Sequence, residues 1–286
     1  MINSKCNDMK PLNQFLTENK LTKTRVKNWL KKEKCYNIIK HKIYFTQDCE
    51  DKIVSTFFSK MKNNDRMDFD VLNNMDREFA YLLGFIWSDG FVSKDNNYVV
   101  SLSIEENDYK DIETVINKHI LWEKRKILDK KRPNGKPQIR SYVYNKKIHN
   151  FFVKLNYQYK SFNDFNKVKD FIPKNLLKYF IRGLIDGDGC FYVNYKTKKY
   201  QKFIITNNSN YDWTSFCDIL KEINITKYHL LCNNKNGSKN SNITINSIYD
   251  IIKLGDFIYE NKYDGVGLKR KYLKYCEIKN KFLSSL

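Results

Sequence analysis

The chain contains 286 residues, with 52 Lys and Arg against 32 Asp and Glu, a formal net charge of +20 and a pI of about 9.4. This excess of positive charge indicates a polyanionic partner, and an apolar fraction of 41 % excludes a wholly disordered chain. No apolar run is long enough to span a bilayer and residues 1–10 lack a secretory signal, so we expect an intracellular protein without a membrane partner.

Residues 1–58 form a basic region that we predict to be helical. Apolar residues recur at helical spacing on both sides of a break after Leu21, which predicts two short helices, the second presenting Lys23, Arg25 and Lys27 to DNA. Two interpretations stay open: a small helix-turn-helix, or a basic extension that adds only electrostatic affinity. The polar stretch that follows is predicted to be a linker over residues 59–74.

Two similar segments follow the linker, in the ranges 75–172 and 173–286. The first contains FAYLLGFIWSDGFV (79–92) and the second KYFIRGLIDGDGCFYV (178–193), and the two align without a gap. After each of them come two strand patterns, a helix, two more strands and another helix. The sequence therefore predicts an α+β fold of two αββαββα units.

The repeated segment predicts a pair of packed helices that each end in a carboxylate. Small residues lie four positions apart in each helix, Gly84 with Ser88 and Gly183 with Gly187. They form a stripe along which two helices can approach closely. Asp89 and Asp188 each precede a glycine, which we expect to be a left-handed helix cap. A carboxylate in the last helical turn costs about 0.3–1 kcal/mol, so two of them call for a compensating cation. An all-oxygen site of this kind suits Mg²⁺ and metal-assisted phosphodiester hydrolysis.

The scattered cysteines and histidines support no other metal centre. None of the seven cysteines forms a C-x-x-C pair, and no histidine lies at ligand spacing from them. We therefore expect no zinc site.

The blocks LLGFIWSDG (82–90) and IRGLIDGDG (181–189) resemble the two motifs of a single-chain LAGLIDADG homing endonuclease. The resemblance implies two pseudo-symmetric units that pack through their motif helices and present antiparallel saddles to the DNA major groove. It also implies that Asp89 and Asp188 bind Mg²⁺ (or Mn²⁺) and that both DNA strands are cut. Two departures are Trp87, which stands where the second copy has Asp186, and Arg182 at a usually small or apolar position.

The resemblance further implies a basic residue near the metal in each unit, for which Lys160 and Lys269 are the candidates. An ordinary solvated lysine is the alternative for either one. Polar residues just past the second strand, Glu106 and Asn207, are candidates for ordering water. Sequence recognition is expected from the strands and their turns, through Arg125, Lys126, Lys130, Arg132 and Arg140 in the first unit and Tyr195, Lys196, Lys198, Lys202, Lys235 and Lys239 in the second.

We therefore expect a monomeric endonuclease that cuts a long, asymmetric double-stranded DNA target. The alternative is a non-cleaving binder of the same fold, either an intron RNA maturase or a transcription regulator, and host intron RNA stays open as a second partner. An endonuclease within an intein is disfavoured, because the chain starts at Met1 and ends without a His-Asn pair, so a free-standing protein is expected.

Overall fold

A computed structural model of the chain describes residues 66–284 except 95–96, 129–135, 195–200, 234–238 and 261, together with the backbone of three short stretches before residue 66. The chain divides into two compact units, Met1–Asp65 and Arg66–Leu286. No helix in these described ranges is both long and apolar enough to cross a membrane.

The described backbone of the first unit is extended rather than helical. It consists of β1 (Lys10–Pro11), β2 (Asn37–Ile39) and β3 (Lys42–Phe45), which form an antiparallel sheet in the order β1-β3-β2. Residue Ile39 pairs with Lys42, so β2 and β3 form a tight hairpin. The prediction of a helical region over residues 1–58 is therefore wrong for these stretches, and the two helices predicted within residues 12–30 lie outside the described residues.

The predicted linker over residues 59–74 is wrong in its second half. Met67 forms a β-bridge with Ile120, and both residues are buried. Val71 is also buried, on the 3₁₀ turn Phe69–Leu72. Residues 67–72 therefore belong to the core of the second unit, because their apolar side chains fill space against the first repeat.

The first repeat has the predicted order of elements and lies within 75–172. Its elements are α1 (Arg77–Asp89), β4 (Gly90–Val92), β5 (Val99–Glu105), α2 (Glu106–Ile116), β6 (Glu123–Ile127), β7 (Gln138–Tyr144) and α3 (Lys146–Lys154). A short 3₁₀ turn (Tyr157–Tyr159) and α4 (Asn166–Phe171) connect it to the second repeat.

The second repeat follows the same order within 173–286 and adds one helix. Its elements are α5 (Leu177–Asp188), β8 (Gly189–Val193), β9 (Gln201–Asn208), α6 (Thr214–Glu222), β10 (His229–Asn233), β11 (Asn240–Ile245), α7 (Ile248–Tyr259) and α8 (Lys269–Leu283). The predicted α+β class with two αββαββα units is confirmed.

Each repeat builds an antiparallel sheet with one face on the core. The strand orders are β4-β5-β7-β6 and β8-β9-β11-β10, so the two sheets correspond strand by strand. Along β8, the residues Phe191 and Val193 are buried, whereas Cys190 and Tyr192 between them are exposed. This alternation gives each sheet a core face beneath the helices and an open face on the other side.

Helices α1 and α5 pack with their backbones in contact. A Cβ atom at Gly84 would stand 1.9 Å from the Phe180 carbonyl oxygen, and one at Gly183 would stand 2.2 Å from the Tyr81 carbonyl oxygen. Helix α1 is buried from Phe79 to Trp87. The helices therefore pack along the small-residue stripe, because a side chain at either glycine would push them apart.

The glycines after the motif helices are not left-handed caps. Gly90 has a φ of −77° and Gly189 a φ of −91°, both with extended backbone, so the chain enters β4 and β8 directly. Glycine is needed there for space, since a Cβ at Gly90 would lie 2.4 Å from the Ile86 carbonyl oxygen.

Arg182 is buried on α5 and anchors the end of the second repeat. It is 1 % exposed and donates hydrogen bonds to the Ile258 carbonyl oxygen (2.8 Å), the Val266 carbonyl oxygen (2.7 Å) and the Asp264 carboxylate (2.6 Å). Burial raises the pKa of Asp264, but the charge and hydrogen bond of Arg182 outweigh it and lower that pKa overall. This departure from the motif therefore leaves the packing of α5 intact, because each nitrogen of the buried guanidinium has an acceptor.

We expect Gly84→Ala to destabilise the second unit by about 1–3 kcal/mol, because the added methyl group meets backbone that has no room to relax. The free energy of unfolding, measured in urea, checks this. The control is Gly265→Ala, at an open site with a φ of +84°, which should cost only the backbone strain of about 1 kcal/mol. Equal losses for the two variants would contradict the close helix contact.

Candidate functional site

Asp89 and Asp188 lie at the paired ends of α1 and α5. The carboxylate oxygen Oδ2 of Asp89 is 3.3 Å from the point where a Cβ of Gly187 would stand, and the Ser88 side chain fills that point. Asp89 therefore lies against the last turn of the opposite helix. The side chain of Asp89 is exposed and that of Asp188 half-buried, so both are open to solvent at one side.

The two carboxylates form one electrostatic unit. Burial, and then the charge of Asp89, raise the pKa of Asp188 to about 6, while Lys160 and Lys271 oppose the rise. The protein atoms packed around Asp89 also raise its pKa by desolvation, although part of the side chain reaches solvent, and Lys160 is the chief opposing charge. Each acid thus interacts electrostatically with both lysines.

Lys160 caps the end of α1. It follows the 3₁₀ turn Tyr157–Tyr159, and its ammonium group donates to the carbonyl oxygens of Trp87 (2.7 Å) and Ser88. Burial lowers the pKa of Lys160 to about 8, although Asp188 and Asp89 both oppose the change. The candidate chosen from the sequence therefore lies next to both motif acids.

Lys271 has the matching place at the end of α5. Its ammonium donates to the carbonyl oxygens of Ile185 (2.7 Å) and Gly189 (2.7 Å), and also to that of Asp186. Lys271 is 7 % exposed, and burial lowers its pKa.

Lys271, two residues after the predicted Lys269, therefore has the place at the end of α5. Lys269 is exposed at the first position of α8, whereas Lys271 faces inward. Helical periodicity contains the missing signal, because the buried residues Leu268, Tyr275 and Ile278 share a stripe with Lys271. A lysine on an apolar stripe needs polar partners, and the end of α5 supplies them.

These lysines provide the positive charge that the helix ends require. The last carbonyl groups of a helix carry partial negative charge, and a cation near them is stabilising. Lys160 and Lys271 bind those carbonyl groups directly. The protein therefore offsets the cost of a terminal aspartate with its own side chains, a contribution that we did not expect from the sequence.

The donor set still fits a hard divalent cation. Among the residues that the structure describes, no group of three or more His, Cys, Asp or Glu is arranged to hold a metal. Mg²⁺ keeps several waters and is typically bound by one or two carboxylates together with substrate phosphate oxygens. Asp89 and Asp188 supply such a pair, and both are accessible from solvent.

An ion pair next to Asp89 connects the two repeats. Arg270 on α8 binds Asp108 on α2 through two hydrogen bonds of 2.6 and 2.7 Å. The charges of Asp108 and Arg270 act on the pKa of Asp89 in opposite directions, the first raising it and the second lowering it. The pair therefore adds little net charge to the site while it holds α8 against the first repeat.

The two water-ordering candidates lie away from the open faces. Glu106 begins α2 and forms an ion pair with Lys126 at 2.7 Å, which lowers the pKa of Glu106. Asn207 shares the core side of β9 with Phe203 and Ile205 by alternation, and its side-chain oxygen accepts from the Asn208 amide at 2.8 Å. Both assignments are therefore unsupported by the placement of the side chains.

The predicted DNA contacts divide between the faces of the sheets. Arg125 and Arg140 are direct cross-strand partners on the open face of the first sheet. Lys126 is on the opposite face, where it forms an ion pair with Glu106. In the second repeat Lys202 lies on the open face beside Tyr192, and Lys239 is exposed before β11. The remaining candidates lie outside the described residues: Lys23, Arg25, Lys27, Lys130, Arg132, Tyr195, Lys196, Lys198 and Lys235.

Solved structures similar to this chain include those of homing endonucleases. The meganuclease I-SmaMI bound to uncleaveable DNA matches with a TM-score of 0.46 and 13 % identity, over 71 % of this chain and 88 % of that one. I-WcaI bound to its DNA recognition sequence matches with a TM-score of 0.48 and 11 % identity, over 68 % and 85 % of the two chains. I-DmoI in complex with DNA and Mn matches with a TM-score of 0.42 and 17 % identity, over 64 % and 96 %.

I-SmaMI and I-LtrWI are described as LAGLIDADG homing endonucleases, which is the family that the two motif blocks resemble. No protein-family model and no curated protein matches the chain.

We expect Lys271→Met to lower the free energy of unfolding by about 1–3 kcal/mol, because buried carbonyl groups lose their donor. Lys269→Met is the matched control and should change stability by no more than about 0.5 kcal/mol, as for other exposed positions. Urea unfolding of both variants checks this. A larger loss for the Lys269 variant would overturn the assignment of the capping lysine.

The raised pKa of Asp188, about 6, predicts a pH-dependent stability in the absence of divalent ions. The folded state holds the Asp188 proton more tightly than the unfolded state, so stability should fall as pH rises from about 4 to about 6. Asp188→Asn cannot ionise and should show a smaller fall over this range. Urea unfolding at pH 4.0, 5.0 and 6.5, compared between the two proteins, tests this, and identical slopes would contradict it.

Proposed function

We propose that this chain is a divalent-metal-dependent endonuclease that cuts both strands of a specific DNA sequence. The observation that carries the proposal is the meeting of Asp89 and Asp188 at the ends of two helices whose backbones touch, with Lys160 and Lys271 beside them. The net charge of +20 and the two open sheet faces support a long polyanionic substrate.

Asp89 and Asp188 are the proposed metal-binding residues. A bound Mg²⁺ or Mn²⁺ would activate water and stabilise the leaving oxygen of a phosphodiester. The carboxylates have to be ionised to bind a cation, and Lys160 and Lys271 favour ionisation by opposing the effect of burial on the pKa of Asp188. The lysines also fix the last turns of α1 and α5, which orients both acids.

Charge balance explains why this site would need both a metal and a phosphate. The two carboxylates and the two ammonium groups nearly cancel, so the site by itself is a weak anion binder. A divalent cation makes it positive, and a phosphodiester then supplies both neutralising charge and further oxygen ligands. Metal and DNA should therefore bind in a mutually supportive way.

Both halves of the proposed site come from one chain. Each repeat supplies one acid, one lysine and one sheet, so the protein is proposed to act as a monomer on a target whose two halves differ. A non-cleaving binder is the second candidate from the sequence, and no observation favours it over cutting, because both acids are present and open to solvent. The cleavage assay described next distinguishes these two functions.

We expect Mg²⁺-dependent double-strand cutting of DNA that carries the uninterrupted sequence around the insertion point of the gene. Asp89→Asn and Asp188→Asn should each slow cutting by about 100-fold or more while leaving DNA binding in place, since outer partners of metal ligands alone contribute 10- to 100-fold. The control, Asp170→Asn, changes an exposed acid on α4 and should cut normally.

Linearisation of a plasmid substrate measures cutting, with EDTA as the metal-free reference, and a gel-shift assay measures binding. Specific binding without cutting by the wild type would favour the non-cleaving function. Unimpaired cutting by either Asn variant would remove that acid from the site.

A further inference from the structure

Most arginines of the second unit form ion pairs with carboxylates. Only eight of its 52 basic residues are arginine. Among the described residues, Arg66 binds Glu123, Arg77 binds Glu78, Arg182 binds Asp264 and Arg270 binds Asp108. Within that part of the chain, Arg125 and Arg140 are the arginines for which no carboxylate lies within ion-pair distance.

Arg125 and Arg140 stand directly opposite each other. They are register partners on β6 and β7, and the next strand places Ser103 beside Arg140. Like charges at facing positions of a sheet are destabilising. The nearest acids on this face are already neutralised, since Glu123 binds Arg66 and Glu105 binds Lys136. Arg140 donates one hydrogen bond, to the Ser101 hydroxyl at 3.5 Å, and the other guanidinium donors of the pair have no acceptor among the described residues.

The corresponding positions of the second sheet carry no charge. Gly90 pairs with Leu102 and Gly189 pairs with Ile205, so Ser103 corresponds to Thr206. Following the registers outward from Thr206 gives Asn242 and then Leu231, where the first sheet has Arg140 and then Arg125.

Asn242 and Leu231 differ in their surroundings. Asn242 is only 8 % exposed and its side-chain oxygen accepts a hydrogen bond from Thr244 at 3.1 Å, whereas Leu231 is 51 % exposed. At equivalent places the first sheet thus presents a guanidinium pair, and the second presents an exposed aliphatic side chain beside a buried amide.

These side chains match different base pairs. Arginine binds the O6 and N7 acceptors of guanine with two hydrogen bonds, asparagine binds the N6 and N7 groups of adenine, and an apolar side chain packs on the thymine methyl group. Facing residues in a sheet have Cβ atoms about 5 Å apart, and bases stack at about 3.4 Å, so one Arg pair reaches bases one or two steps apart.

We propose that the first sheet reads two closely spaced guanines and that the second sheet, through Leu231, reads an A·T pair at one equivalent place of the other half-site. This inference rests on the proposed DNA-binding function. It makes Arg125 and Arg140 specificity-determining residues and predicts that the target departs from twofold symmetry at these positions.

The test is binding selection from a randomised duplex DNA library by the full chain in EDTA, followed by sequencing. We expect a preferred sequence with a guanine pair in one half-site. Arg125→Ala and Arg140→Ala should each reduce the preference for one guanine by about 5- to 150-fold, the range of one bidentate contact, and leave the other half-site unchanged.

Lys126→Ala is the matched control, because Lys126 neighbours Arg125 but binds Glu106 on the other face. It should leave the base preference unchanged. The variant with Asn242→Arg and Leu231→Arg should transfer guanine preference to the second half-site.

Two outcomes would overturn the inference and leave the proposed function standing. One is a specific target whose guanines are unaffected by either Arg variant. The other is a uniform loss of affinity for all sequences with a shallower salt dependence, which indicates phosphate contacts. If the wild-type chain selects no sequence at all, the proposed function fails and the inference fails with it.

Discussion

The contact between α1 and α5 at Gly84 and Gly183 is the constraint on which the rest of the second unit depends. Each glycine lies against the backbone of the opposite helix, so the separation of the two axes is set by main-chain atoms rather than by adaptable side chains. Both sheets begin directly where these helices end, at Gly90 and Gly189. The one contact therefore fixes the place of both motif acids and the starting points of both sheets.

Bringing two helix C-termini together concentrates negative charge, and two buried ammonium groups compensate for it. An unpaired buried charge is costly, but Lys160 and Lys271 keep donors directed at carbonyl oxygens that would otherwise lack partners. The buried ammonium groups thus gain hydrogen-bond acceptors, and the helix ends gain positive charge. The acids lie next to cations without direct ion-pair hydrogen bonds, because Lys160 and Lys271 donate to carbonyl oxygens at the helix ends instead.

The elements of the repeats could be predicted because periodicity and the gapless alignment gave independent support to the same order. The position of the second capping lysine and the open face of strand β6 could not be predicted, because the sequence signals for them are weaker. Lys160 follows a short 3₁₀ turn whereas Lys271 belongs to a separate helix, so the distance from the preceding helix differs between repeats and counting could not locate the second lysine. On the edge strand β6, charged residues occupy both faces, and alternation without an apolar side does not specify which face is open.

The two repeats match at the residues around the contact between α1 and α5 and differ elsewhere. The acids and the capping lysines match between repeats, but the position before Ser88 holds Trp87, whose indole N–H donates to Tyr211 at 3.2 Å. Its counterpart Asp186 is buried and accepts from the Leu268 amide at 2.7 Å, which fixes the start of α8. Because both halves belong to one chain, a substitution in one is not repeated in the other. Side chains beyond the shared contact are therefore free to differ, and the differing open faces of the two sheets follow from the same freedom.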